Sequence, residues 1–220
     1  MAKIGVILCG CGVYDGSEIY ETTITLLAID RAGAEAVCMA PDVDQLHVIN
    51  HLNGEIVEGE TRNVLVESAR LARGNISNIK DISVNDFDAL IIPGGFGAAK
   101  NLCNFAVKGP DCDVNPEVAR LVRDTINAHK PLAAICIAPA VIARVLGKEK
   151  VPHQLTIGND SDTASALESM GASHVDCPVE NFVIDKENKL VTSPAYMLAG
   201  RISEAAEGIE KTVKTLIELI

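Results

Sequence analysis

The chain has no tryptophan, and aromatic residues make up only 3% of its 220 positions. A base-stacking surface is not what such a composition supplies. Basic residues are also scarce: 19 Lys and Arg stand against 30 Asp and Glu, a net charge of −11. That field repels polyanions, so neither nucleic acid nor an anionic membrane is an expected partner. No apolar run reaches the roughly 18 residues of a membrane span. The opening Met1-Ala-Lys-Ile-Gly-Val-Ile-Leu-Cys9 is too short in its apolar stretch for a secretory signal. A cytoplasmic protein is expected, and its seven irregularly spaced cysteines read as reduced thiols. Cys9 and Cys11 have no Cys-x-x-Cys partner or clustered histidines beside them, so no metal is expected.

What is present is aliphatic. Hydrophobic residues make up 48% of the chain, mostly Val, Ile, Leu and Ala, which suits a sheet packed between helices. Short apolar runs read as strands at Lys3 to Cys9, Glu35 to Ala40, Ala89 to Ile92, Leu132 to Ile135, Gln154 to Gly158, Val175 to Cys177, Asn181 to Asp185 and Leu190 to Ser193. Between them, periodic segments read as helices over 17–32, 62–73, 116–129, 139–147, 159–171 and 202–220. Asn53-Gly54, between apolar runs, marks a hairpin over 48–57, which argues against His47 and His51 sharing a helical metal-binding face. Residues 98–113 read as an irregular lid or interface loop. The alternation predicts a three-layer α/β sandwich, mostly parallel and flavodoxin-like, with 1–220 as a single domain.

Two junctions stand out. Gly10, Gly12 and Gly16 follow the first strand, but their spacing is one residue too long for a dinucleotide fingerprint, so no cofactor is expected. Cys136 lies between the buried strand 132–135 and Pro139, a residue suited to the first turn of a helix. A cysteine on a sharp strand-to-helix turn projects above the sheet beside free helix N–H groups, which favour its thiolate. Right-handed crossovers bring Cys9, the Pro93-Gly-Gly95 turn and Cys136 to one edge of the sheet, where ligands bind in open α/β folds.

The strings Ile91-Ile-Pro-Gly-Gly95 and Ala134-Ile-Cys136 resemble the ThiJ/PfpI branch of the class I glutamine amidotransferase-like superfamily. Five longer strings, beginning at Gly10, Pro93, Cys136, Leu155 and Pro194, are similar to the ElbB family of isoprenoid-biosynthesis proteins with an amidotransferase-like domain. The resemblance implies that Cys136 is the nucleophile and Glu21 the carboxyl that contacts it, with Glu18 a second choice. It also implies that Gly95, with Gly94 in the same turn, and the Ile137 N–H serve as oxyanion donors. His153 is a possible downstream partner. A homodimer acting on a small carbonyl compound is the assembly and substrate class it implies.

The departures matter equally. Ser193-Pro-Ala-Tyr196 has no histidine where glutaminases of the superfamily carry one, and Ile137 stands where peptidase-type relatives have a histidine. The favoured expectation is therefore a cofactor-independent glyoxalase-type enzyme converting glyoxal or methylglyoxal to 2-hydroxy acids through a Cys136 thiohemiacetal. The alternatives are a redox or carbonyl-stress sensor using the same cysteine and an amidotransferase-like protein of isoprenoid metabolism.

Overall fold

The computed structural model describes all 220 residues, Met1–Ile220. In chain order the regular elements are β1 (Lys3–Ile7), α1 (Ile19–Arg31), β2 (Glu35–Ala40), β3 (Ile49–Asn50), β4 (Glu55–Ile56), α2 (Val64–Leu71), β5 (Ser77–Asn78) and β6 (Ala89–Ile92). Then come α3 (Phe105–Lys108), α4 (Pro116–Asn127), β7 (Leu132–Ile135), α5 (Pro139–Lys148), β8 (His153–Leu155), α6 (Ser161–Ser169), β9 (Ala172–His174), β10 (Val183–Asp185), β11 (Leu190–Ser193) and α7 (Ile202–Glu218).

Seven strands form one sheet in the order β10-β11-β7-β6-β1-β2-β5. Every neighbouring pair is parallel except β10 with β11, which closes one edge as an antiparallel hairpin. Alternate residues face opposite sides of a strand, and the core divides accordingly. Ile7, Leu90, Ile92, Leu132 and Ala134 pack with Val118 and Leu121 of α4 and Val141 and Ile142 of α5. Val6, Ile91, Ala133 and Ile135 pack with Ile24 of α1 and Ile209 and Val213 of α7. Both faces of β6 and β7 are covered, which is why their sequences are unbroken apolar runs. The result is the three-layer α/β sandwich.

Side-chain caps place the helices. Glu18 accepts from the Glu21 N–H at the start of α1, Asn115 from Glu117 and Val118 ahead of Pro116, and Asp160 from Thr163. The hairpin β3–β4 turns at Asn53-Gly54, with Gly54 at φ +78°, and is latched to the glycine loop by the Ile49 N–H on Asp15 Oδ2 at 2.8 Å.

Two segments differ from the sequence reading. The strand read at Gln154 to Gly158 is the three-residue β8, which leaves the main sheet to pair in parallel with β9. The ladder is used at Ala172–His174 rather than at Val175 to Cys177, where the Val175 N–H still bonds back to the Leu155 carbonyl and the Cys177 N–H to the Gly158 carbonyl. Residues 98–113 are not a free loop. They fold as a π-helical turn over Ala98–Leu102 and the short α3, closed by a bridge between Cys103 and Val114.

Gly147 in α5 shows how tightly the layers meet. A Cβ there would overlap the backbone carbonyl of Met170 at the end of α6, and neither partner is a flexible side chain. Gly147→Ala should therefore destabilise the protein by about 1–3 kcal/mol, outweighing the up to ~1 kcal/mol gained in helix propensity. A lowered urea midpoint at unchanged m-value is the expected result.

Candidate active site

Strand β7 ends abruptly at Cys136, whose φ is +62°. A non-glycine residue in that left-handed region carries roughly 1–3 kcal/mol of strain and persists only where its surroundings over-determine it. Here the Cys136 N–H donates to the Ser193 carbonyl at 3.0 Å, and the Ala138 N–H reaches back to Ile135 at 3.0 Å. Pro139 then opens α5. The turn is a nucleophile elbow in the geometric sense: strand, strained residue, helix.

The turn after β6 is fitted against it. A side chain on Gly94 would collide with Cys136 Cβ and with the Glu21 carboxyl, and one on Gly95 (φ +102°) with the backbone of Gly16 to Glu18. Only glycine allows this approach. The approach aims donors inward: the Gly95 and Ile137 N–H groups both lie against the Cys136 sulfur, while Gly94 donates to Glu21 Oε2 at 3.0 Å.

Glu21, on the first turn of α1, is completely buried. Its other oxygen accepts from the Tyr196 N–H at 3.1 Å, and its carboxyl bonds the Cys136 thiol. Tyr196 can reach it because Ala195 adopts φ +42°, a second strained residue at the carboxyl end of a strand. Burial pushes the Glu21 carboxyl from its ordinary 4.5 up to about 7; the Tyr196 N–H opposes the shift and the nearby Glu18 adds to it. Burial also holds the Cys136 thiol well above its usual value, with the Glu21 carboxylate adding to the effect and the Gly95 and Ile137 N–H groups pulling the other way.

This corrects the expectation that the helix start favours the thiolate. Desolvation and an adjacent carboxyl outweigh the two amides. The pair is best described as two acids in one buried site that resist holding two negative charges together.

Above the sulfur opens a cavity of about 430 Å³. Its wall is largely apolar, with Val13, Phe96, Ala99, Phe105 of α3, Ile137 and Met197 among the lining residues. Glu18, Asp160, Thr163 and Tyr196 supply its polar atoms. Glu18, the second choice, thus faces the cavity, while Glu21 sits beneath it against the sulfur. Burial raises the Glu18 pKa, against the N–H bonds of α1 that it caps.

His153 lies on β8 and is not among the lining residues. Its Nδ1 bonds the Val151 carbonyl at 2.8 Å, and burial lowers its pKa. No histidine lines the cavity. His51 instead accepts from the Tyr14 N–H at 3.2 Å, bracing the glycine loop.

Sequence reasoning missed Tyr196 because its contribution to Glu21 is a backbone N–H, which carries no residue-type signal. It also missed Phe96 and Phe105. In a chain with only four Phe and three Tyr, three of them meeting at one cavity was a usable clue.

The raised carboxyl has a consequence for stability. A group whose folded pKa exceeds its unfolded one contributes fully at low pH and loses that contribution as pH rises through the folded value. Between about pH 4.5 and 7, ionisation of buried Glu21 should remove up to about 3 kcal/mol. Urea unfolding of the wild type and of Glu21→Gln at pH 5 and pH 8 should show the wild type losing ground by up to that amount. A parallel pH dependence in the two proteins would refute the assignment.

Comparison with known proteins agrees with the geometry. The chain is 44% identical to the Rattus norvegicus ES1 protein homolog, mitochondrial, over 99% of its own length and 84% of that protein's. It is equally identical to the Homo sapiens glutamine amidotransferase-like class 1 domain-containing protein 3, mitochondrial, over 99% and 83%. The crystal structure of an isoprenoid biosynthesis protein with amidotransferase-like domain from Ehrlichia chaffeensis superposes with a TM-score of 0.93 at 40% identity, covering 100% of this chain and 99% of that one. Drosophila melanogaster DJ-1beta, at 20% identity and a TM-score of 0.56 over 99% and 95%, shares the fold. The relatives from rat and human are named as mitochondrial; in this structure no helix is long and apolar enough to cross a membrane. Residues 11–199 match the DJ-1/PfpI family, and the chain belongs to it.

Proposed function

We propose that this protein is a cofactor-independent glyoxalase-type enzyme that isomerises and hydrates α-oxoaldehydes to 2-hydroxy acids, glyoxal and methylglyoxal being the simplest. The observation that carries the reading is the pairing of Cys136 with a carboxyl of pKa about 7 beneath a cavity that no histidine lines. A carboxyl poised near neutrality can take and return a proton at working pH.

Each step uses a group of the site. The Cys136 thiol adds to the aldehyde carbon, its proton passing to Glu21 and then to the new hydroxyl. The Gly95 and Ile137 N–H groups are placed to hold the oxygen where charge develops. The thiohemiacetal then loses its carbon-bound proton while the neighbouring carbonyl oxygen takes one, giving an enediol, and the enediol regains a proton at the neighbouring carbon as the original hydroxyl gives its proton up, leaving a 2-hydroxy thioester. The geometry favours a division, with Glu21 serving the sulfur and Glu18, which opens on the cavity, serving the carbon. Water cleaves the thioester, releasing the 2-hydroxy acid and the free thiol. The net change is addition of one water, so no oxidant or reductant is consumed.

The alternatives draw less support. Amide hydrolysis needs a base that also protonates the departing amine, and no histidine is at hand. A peroxide sensor needs a low-pKa, accessible thiol, whereas Cys136 is raised and only 8% exposed.

Purified protein should consume methylglyoxal and form lactate. Cys136→Ala should abolish the activity, and Glu18→Gln and Glu21→Gln should each lower kcat by about 10²–10⁴. Ammonia release from glutamine, or methylglyoxal loss undiminished in Cys136→Ala, would overturn the proposal.

A further inference from the structure

The cavity is much larger than the smallest α-oxoaldehydes require. Its volume is about 430 Å³. That size lies within the ~300–1,000 Å³ range of pockets that enclose drug-sized ligands. Glyoxal or methylglyoxal bonded to Cys136 would leave most of it wet. The surfaces left in contact with that water would be apolar, with Phe96, Phe105, Ile137 and Met197 prominent among them.

Its charge is one-sided. The acidic side chains on the wall are Glu18 and Asp160, and no Lys, Arg or His lines it. Lys100, a neighbour of the wall, is committed elsewhere: its Nζ bonds the Tyr14 carbonyl at 2.8 Å and lies 5.5 Å from the Phe96 ring centroid. A substrate carboxylate or phosphate would therefore lose water and meet two carboxyls with no cationic side chain on the wall itself to pair with. The anionic 2-hydroxy acid would meet the same field on forming, which favours its departure.

We propose that this cavity selects uncharged carbonyl compounds bearing a bulky apolar group and rejects anionic ones; on the glyoxalase reading above, the substrates are aryl or branched-alkyl oxoaldehydes rather than glyoxal itself. The negative half works by unpaired charge, the positive half by apolar contact.

Selection can be measured without turnover. Cys136 of the full chain is alkylated with iodoacetanilide, iodoacetamide and iodoacetate, each rate read by peptide mass mapping and divided by that reagent's rate with free glutathione. Iodoacetanilide should exceed iodoacetamide by at least about tenfold, and iodoacetate should fall below it by a similar factor. Asp160→Asn, which keeps a residue able to cap α6, should shrink the iodoacetate deficit by about threefold. Equal normalised rates, or iodoacetate in the lead, would overturn the inference. In a separate arm, phenylglyoxal should be turned over with a higher kcat/KM than methylglyoxal, and the reverse order would also overturn it. If the alkylation order holds but no oxoaldehyde is consumed, the glyoxalase reading fails and the cavity's selectivity stands.

Discussion

A single buried carboxyl ties the site together. Glu21 has no solvent exposure, and its two oxygens are taken by the Gly94 N–H, the Tyr196 N–H and the Cys136 thiol. Those partners come from the turn after β6, the turn after β11 and the elbow after β7, while Glu21 itself belongs to α1. One side chain thus joins four separate segments at the same sheet edge. A buried polar group that lost these partners would cost about 1–3 kcal/mol or more, so the turns hold their places partly because Glu21 needs them.

The backbone bears the complementary strain. Cys136 and Ala195 both adopt positive φ, and Gly95 sits where a side chain would overlap neighbouring backbone. Each departure aims an N–H or a thiol at the same small volume. All three follow adjacent interior strands, β11, β7 and β6, and the Cys136 N–H bonded to Ser193 locks two of the turns to each other. The fold contributes rigidity, and the turns convert it into direction.

Much of this was legible in the residues. Apolar runs marked β6 and β7 because both their faces are buried, and Pro139 after Cys136 marked the elbow. The helices near 116 and 159 were legible from their periodic patterning, and the structure starts them on residues of capping type, Asn115 and Asp160. The failures have physical causes. Strands β8 and β9 are three residues each, too short for a periodic signal, and their separation from the main sheet depends on tertiary packing. The segment 98–113 folds through a π-helical turn and a lone bridge that leave no periodic pattern. Tyr196 acts through its main chain. The direction of the Cys136 shift was also misjudged, because helix-start N–H groups can be inferred from sequence and the desolvation opposing them cannot.

That reversal bears on the chemistry. A thiol held as its acid beside a carboxyl of pKa about 7 is a poor target for indiscriminate oxidants, which consume thiolates. It becomes a good nucleophile only when something else takes up charge. On the proposed glyoxalase reading, an aldehyde oxygen between the Gly95 and Ile137 N–H groups would do so: as the C–S bond formed, the negative charge would pass from sulfur to an oxygen with donors beside it, and the proton would move by way of Glu21. Under that proposal the site would be quiet without a carbonyl and active with one, and no histidine would be needed to split the proton from the sulfur in advance. The same burial that makes Cys136 a weak acid makes Glu21 a base near neutrality, so the two shifts are one property of the site.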